Sequence, residues 1–581
     1  MLINNQKFKF HELIPYALLM MTLYVVVVMS ALNWNYMPDD GYRYLHVVSN
    51  LLDGLGVRWN AVDLEPSQSF TSFPWILSLA GVAMITDINL VELSKYFGLT
   101  CFCLSLIILF GYSIKHSRHR IISSVFLASA FCLSPVVFFH TVNGMETMLF
   151  LLFLTCSVVS FLLSLDDKRL LTATFLGFLI TVLIRYEAVI FCGLLSLYLM
   201  YRYRNEPVFF FQRFFIFLIL PGLTYVALVY LYFGSLLPNS FYVKTAVTLI
   251  STSGYSYFIE NYNTFFLGCS VAFLGLYPFS QNRNKKAYLL MFIALHIQLL
   301  FILRIIPTVG QGGRFMFPYI VPLYLITINI PIQTMMERFL SKDFVNKSLS
   351  VVFVFVLIFS TYSSDRKAGL KDLISYSSER VMDPVIGKSL AELNVQNPSN
   401  ISIVGGESGA ISYFSKFTFV DIWGLHDSHI ARNGLDNDYI FSYEPDMFIS
   451  FVHKDALSYD DQGNFSSLDM DFINSRIEID EKNKDIKGNT AYFSYLVMAD
   501  ERFSQLKLVR TIDIGSGKAW IFFANDASPY SKNLIEVING IDWDNDRELI
   551  VSSMRPGKIV KALMNPFNGD NYTKVEVMFD E

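Results

Sequence analysis

The sequence predicts a polytopic α-helical membrane protein with about eleven transmembrane helices and a C-terminal water-soluble α/β domain. Three observations carry this. The 581-residue chain is 53% hydrophobic and only 16% charged, against about a quarter charged in soluble domains. Up to Tyr362 its apolar residues gather into runs long enough to cross a bilayer. Most of its 50 acidic residues fall after Asp365, dividing the chain into a membrane region, 1–362, and a soluble domain, 363–581.

The first run, Leu13–Leu32, follows Lys7 and Lys9 and covers about 30 Å as a helix. It is too long for the apolar part of a signal peptide, and no small-x-small site follows, so it reads as a retained span. Ten further runs follow: Glu92–Ile114, Ile121–His140, Met145–Leu165, Leu170–Ile184, Ala188–Tyr203, Arg213–Phe233, Tyr262–Phe279, Ala287–Ile306, Phe315–Ile332 and Ser348–Tyr362. Pro74–Thr86 is short for a span and reads as an interfacial or re-entrant piece. With it left out, alternate loops carry sixteen Lys and Arg on one side against five on the other (Arg43, Arg58, Arg185, Lys244, Arg314). The positive-inside rule then puts a long first loop, 33–91, and the C-terminal domain on the extracytoplasmic side.

All six cysteines lie inside apolar runs and read as small core residues. A net charge of −5 argues against a nucleic-acid partner. In the tail, β-type runs occur at Ile401–Val404, Phe417–Val420, Leu506–Ile512 and Ala519–Phe523. Gly405–Ala410 reads as a strand-to-helix turn, without the glycine spacing of a dinucleotide fingerprint.

The chemistry centres on Met37–Trp75. Asp39 and Asp40 follow the first span, and Tyr42, Leu45, Val48 and Leu51 then recur at helical spacing. This predicts an amphipathic interfacial helix closed by Asp53-Gly54, with both acids at its N-terminus, where the helix dipole favours them. The other polar stretches assigned outside are Asn143–Thr147, Arg185–Glu187, Gly234–Lys244 and Gly310–Phe315. Arg314 follows a glycine-rich turn and opens a span, so its guanidinium and nearby backbone N–H groups are expected to hold a phosphate. Lys244 and Arg185 are further cations for the same anion. Arg185 can also pair with Glu187, Glu146 can serve as a helix-start acid, and Arg314 can snorkel to the interface.

Two carboxylates, several cations and interfacial aromatics describe glycosyl transfer from a lipid-linked phosphosugar. An Asp base deprotonates the acceptor hydroxyl, and a cation stabilises the departing lipid phosphate. No cofactor is called for. A divalent cation could sit between Asp39-Asp40 and a substrate phosphate. His426 and His429 lack the further ligands of a zinc site. The competing class is a transporter or flippase of lipid-linked saccharides, which would carry mid-membrane charges and paired broken helices.

Asp39-Asp40 after the first span resembles the GT-C superfamily of membrane glycosyltransferases, and Asp40–Tyr44, Asn50–Gly56 and Ser69–Trp75 resemble the terminal arabinofuranosyltransferases of mycobacterial cell walls and their bacterial relatives. Asn143–Thr147, Leu236–Lys244, Gly312–Phe315 and Asp421–Arg432 resemble further segments, in the same order. The resemblance implies a GT-C-like fold, a polyprenyl-phosphate sugar donor, an envelope glycan or glycolipid acceptor, and inverting transfer at a bacterial cytoplasmic membrane. It places the base in the first outer loop, at Asp39 with Asp40 beside it, and substrate contacts at Tyr42, Arg43, Glu146, Arg185, Asn239, Lys244 and Arg314. Where such relatives carry Arg-Pro-Glu-Gly, this chain has Arg185-Tyr186-Glu187-Ala188.

Overall fold

The computed structural model describes residues 12–543, except 36, 64, 133–134, 245–251, 263, 305–312, 340–381, 394, 463–464, 483–489 and 516. The membrane region runs through α1 (Ile14–Leu32), α2 (Asp39–Leu52), α3 (Phe73–Ala83), α4 (Leu90–His116), α5 (Arg120–Cys132), α6 (Pro135–Val142), α7 (Thr147–Ser164), α8 (Leu171–Ile184) and α9 (Val189–Arg202). It continues with α10 (Pro207–Phe214), α11 (Leu220–Phe233), α12 (Asn239–Lys244), α13 (Thr252–Asn261), α14 (Thr264–Leu276), α15 (Lys285–Phe301), α16 (Ile320–Thr327) and α17 (Gln333–Phe339).

Among the described residues five stretches are long and apolar enough to cross a membrane: Ile14–Ala31, Leu90–His116, Thr147–Ser164, Pro207–Phe233 and Phe317–Glu337. The expected run Ser348–Tyr362 and the boundary at 362–363 lie outside the described residues. α3 has eleven residues and covers only about 16 Å, roughly half a hydrocarbon core.

Ile121–His140, read as one run, holds α5 and α6, and positions 133–134 between them lie outside the described residues. Prolines explain where two other apolar runs depart from single straight helices. π-helical turns occupy Phe215–Ile219, just before Pro221, and Ile328–Ile332, which contains Pro331. A proline lacks the N–H for the i−4 carbonyl and crowds it, and a widened turn accommodates both defects.

The C-terminal region has strands β1 (Ser402–Gly405), β2 (Thr418–Asp421), β3 (Met447–His453), β4 (Leu457–Tyr459), β5 (Phe465–Leu468), β6 (Leu506–Gly515) and β7 (Lys518–Asn525). Five form a mixed sheet in the order β2-β1-β3-β7-β6, while β4 and β5 pair separately. β1 runs parallel to both β2 and β3, and β7 is antiparallel to β3 and β6. Alternation along β7 feeds two cores, with Trp520 and Phe522 on one face and Ile521 and Phe523 on the other.

Helices α18 (Asp383–Ala391) and α19 (Gly409–Ser415) flank this sheet. α19 packs both ways: Ile411 lies in the core of its own domain, while Ala410 joins the hydrophobic core of the membrane region, with Tyr413 and Phe414 partly buried against it. The C-terminal domain is thereby seated on α2. This changes the environment expected for α2, whose polar face was assigned to the membrane–water interface. Ten of its fourteen residues, both aspartates included, are buried, because the tail covers that face.

Candidate active site

α2 starts as its sequence dictates. Pro38 is extended (φ −73°, ψ 160°), Asp39 and Asp40 occupy the first turn, and Gly54 beyond the end is left-handed (φ +81°). Gly41 sits where any Cβ would lie 2.5 Å from the Asn143 carbonyl oxygen. The first turn of α2 is thus pressed against the Asn143 loop, and Met145 of that loop meets Arg314, the partner of Asp40.

The two aspartates have different partners. Asp39 Oδ1 accepts from the Ala410 N–H at 2.8 Å, and Oδ2 accepts from the Gly409 N–H at 3.1 Å and from Arg43 Nε at 3.2 Å. Its side chain is 1% exposed. Asp40 instead faces cations: Oδ1 is 3.1 Å from Arg43 Nη1 and Oδ2 is 3.0 Å from Arg314 Nη1. Burial alone would raise its carboxyl pKa, but Arg43, Lys244 and Arg314 outweigh burial and hold it well below the usual carboxylate range.

Arg314 also directs Nη1 at Met145 Sδ, 2.9 Å away, and leaves its buried Nε without a partner. The sequence reading gave it a cradle of free backbone N–H groups at a helix start, and Gly310–Gly312 of that cradle lie outside the described residues. Arg314 lies in a turn ahead of α16, the Phe315 N–H donates to the Tyr257 hydroxyl at 3.2 Å, and the Met316 N–H donates to the Gly313 carbonyl at 2.8 Å. Among the described residues of this turn, the anion-attracting element is the guanidinium.

Arg185 stands behind Arg314. Its Nε is 3.2 Å from Glu146 Oε1 and 3.7 Å from Glu187 Oε1, and Nη1 donates to the Arg314 carbonyl at 3.3 Å. Phe150 and Phe315 stack on it, with ring centroids 5.4 and 5.2 Å away. Arg185 and Glu146 therefore hold each other and the Arg314 backbone. Lys244 ends α12 within the field of Asp40, Arg314 and Arg43. Burial, reinforced by the two arginines, brings its pKa down to about 8 against the pull of Asp40.

The structure brings Asp39, Asp40, Arg43, Glu146, Arg185, Lys244 and Arg314 into one cluster. Tyr42 and Asn239 turn elsewhere. The Tyr42 ring packs on Tyr413 and Phe414 of α19 at 5.8 and 5.4 Å. Asn239 is fully buried, donating to Ser67 Oγ at 3.3 Å and accepting from Ser428 Oγ at 3.3 Å, which ties the first loop to the tail.

Sequence reasoning missed the residues that seat the tail. Asn60 bonds β2 as a neighbouring strand would, accepting from the Phe419 N–H at 2.8 Å and donating to its carbonyl at 3.2 Å. Trp59 stacks on His426 at 3.6 Å, and the His426 Nδ1 lies 3.1 Å from Asp421 Oδ2 and 2.7 Å from Ser408 Oγ. Burial and the Arg43 charge push this imidazole below its ordinary pKa, while Asp421 pulls the other way. In the sequence Gly405–Ala410 reads only as a strand-to-helix turn, and His426, with no zinc-site spacing, reads as a surface or interdomain contact.

A divalent cation does not fit the acids as they stand. Both oxygens of each aspartate already receive N–H donors, and donors exclude a cation from the same lone pairs. Among the described residues no group of three His, Cys, Asp or Glu is placed to bind a metal.

Comparison with known proteins places this geometry in a shared fold. Residues 376–504 match a family described as Domain of unknown function (DUF8728). Among curated protein sequences none matches this chain. An arabinofuranosyltransferase AftD structure from Mycobacteria aligns over 88% of this chain and 40% of its own, at 11% identity and a TM-score of 0.43, too distant to carry an argument. ArnT from Cupriavidus metallidurans in the apo state aligns over 88% of this chain and 98% of its own, at 11% identity and a TM-score of 0.51. The same protein bound to undecaprenyl phosphate aligns over the same shares at 11% identity and a TM-score of 0.54. The chain has the polytopic membrane fold of ArnT, the GT-C-like fold that the sequence resemblance implied.

Proposed function

We propose that this protein is a glycosyltransferase that moves a sugar from a polyprenyl-phosphate donor to an envelope glycan or glycolipid, on the outer side of a bacterial cytoplasmic membrane. The observation that carries the reading is the set of cations, Arg314 buried and Arg43 and Lys244 half-buried, gathered around Asp40. ArnT, which shares the fold, has been crystallised with undecaprenyl phosphate. A phosphate of that kind suits Arg314 and Lys244.

In this mechanism the acceptor oxygen attacks the anomeric carbon as its proton passes to an aspartate. The bond from that carbon to the phosphate oxygen breaks with inversion, and the lipid phosphate leaves with its electron pair. The sequence reading placed the base at Asp39. Its environment argues for Asp40, because Asp39 is enclosed by three N–H donors whereas Asp40 meets the cations. A bound phosphate would share Arg314 and Lys244 with Asp40 and so raise the affinity of that carboxylate for a proton. Donor binding itself would ready the base.

The test is transfer by the purified protein in lipid, followed as release of polyprenyl phosphate. Arg314→Ala should lose donor use with every acceptor offered, and Arg314→Lys should lose less, since it keeps the charge without the planar fork. A defect confined to some acceptors would move Arg314 to the acceptor side. Wild-type protein inert toward every polyprenyl-phosphate sugar would end the reading.

A further inference from the structure

We propose that the C-terminal domain is a working part of the active centre, in which Gly409 and Asp39 are positioning residues that hold Asp40 against Arg314. This rests on the transferase reading above.

The bonds form an unbroken line. The Gly409 and Ala410 amides grip the two oxygens of Asp39 at 3.1 and 2.8 Å, across more than 369 residues of chain. Asp39 takes Arg43 Nε, the same guanidinium reaches Asp40 through Nη1, and Asp40 takes Arg314. Each link has one free choice fewer than the last. With Nε held by Asp39, the plane of the Arg43 guanidinium is fixed, and its fork then sets where the Asp40 carboxylate lies.

Gly409 is what lets the grip close. A Cβ there would stand 2.3 Å from the Asp39 carbonyl oxygen, 2.6 Å from its Oδ1 and 2.7 Å from its Cγ. The approach is to backbone as well as to side chain, so no rotamer change relieves it. Around the grip the docking is secured separately, by Tyr42 on Tyr413 and Phe414 and by Lys416 Nζ donating to Ser49 Oγ at 2.6 Å. Those contacts, and the Asn60 bonds to β2, suffice to anchor a domain. Burying a carboxylate in the contact is a costly addition for anchoring alone, and it is explained if the carboxylate transmits position.

The experiment separates position from attachment. Gly409→Ala, Asp39→Asn and Asn60→Ala are compared with wild type and with Arg314→Ala for kcat and for donor KM, on protein shown to be folded by its size-exclusion profile. Gly409→Ala and Asp39→Asn should each lower kcat about a hundredfold, as expected of an ångström-scale misplacement, with donor KM within about threefold of wild type. Asn60→Ala, which loosens the junction away from Asp39, should keep kcat within about threefold. If Gly409→Ala does not fold, the isosteric Asp39→Asn carries the test. Wild-type kcat in folded Asp39→Asn or Gly409→Ala overturns the inference while a dead Arg314→Ala leaves the transferase reading standing. An equal loss in Asn60→Ala also overturns it, since attachment alone would then matter. A wild-type protein that transfers nothing takes both readings down together.

Discussion

The interior of the membrane region and its junction with the tail satisfy polar side chains in opposite ways. Inside the membrane helices many hydroxyls bond to their own helix one turn back, as Thr22 to the Leu18 carbonyl, Ser105 to Cys101, Thr155 to Leu151, Ser196 to Cys192 and Thr327 to Leu323, all at 2.7 or 2.8 Å. A few cross to a neighbour, as Ser157 Oγ to Thr181 Oγ1 at 2.8 Å. At the junction the bonds cross between distant parts of the chain, as from Ser67 Oγ to the His426 carbonyl at 2.6 Å and from Asn60 to Phe419. Lipid offers no partner to a stray donor, so a hydroxyl on a span most simply meets its need within four residues. Such local bonds say nothing about which helix lies next door. Long-range bonds do, and the molecule concentrates them where one arrangement must be chosen.

That contrast can be broken or sharpened by experiment. The largest effect is expected at the cation-bound acid: Asp40→Asn should cut kcat about a hundred- to ten-thousandfold, measured on the purified protein, and near-normal turnover would remove Asp40 from the chemistry. Next comes Arg185→Met, which leaves Glu146 buried without its main cation and should cost about 3–5 kcal/mol, read as a lower thermal midpoint. Adding Glu146→Gln should recover much of the loss, whereas an unchanged single variant would show that the pair is not a hub.

Asn60→Ala should destabilise the seating of the tail by about 1–3 kcal/mol, seen as faster hydrogen exchange at the Phe419 amide. Lys244 gives a pH signature. Its pKa is lowered to about 8, so it is charged below that value and neutral above it. Donor kcat/KM should therefore fall as pH rises through about 8, by up to about tenfold per unit, and Lys244→Arg should remove that limb. The smallest effect belongs to the spans: Thr155→Val should shift stability by only about 0.5 kcal/mol. A loss as large as that of Asn60→Ala would erase the distinction between the regions.

The sequence was most informative where physics is local. Apolar runs marked the spans, and helical spacing after the paired acids marked α2 and its Asp53-Gly54 close. β3 escaped notice because Met447–Val452 is buried on both faces; a continuous apolar run has no alternation to distinguish strand from helix. The π-turn at Ile328–Ile332 follows from Pro331, a residue in plain view, yet the run around it is apolar enough to mask it. The cations of the cluster were legible as charges at span ends. The partner of Asp39 was not, because nothing in the composition of either segment says that position 39 will meet position 409. Only the fold supplies that distance.

The bonds from Asn60 to β2 have a consequence for the order of assembly. β2 is an edge of the sheet, and Asn60 stands 359 residues ahead of the residue it pairs with. A ribosome making roughly 5–20 residues per second finishes the loop tens of seconds before β2 exists. Throughout that interval the loop has no mate, and the two acids of α2 have no amides to receive one of them. A chain interrupted before residue 409 would carry every membrane helix named above and still lack a closed catalytic end. Conversely, the tail released on its own would present β2 as a bare edge, open to pairing with other chains. Closure of this junction is thus withheld until the ribosome has passed β2.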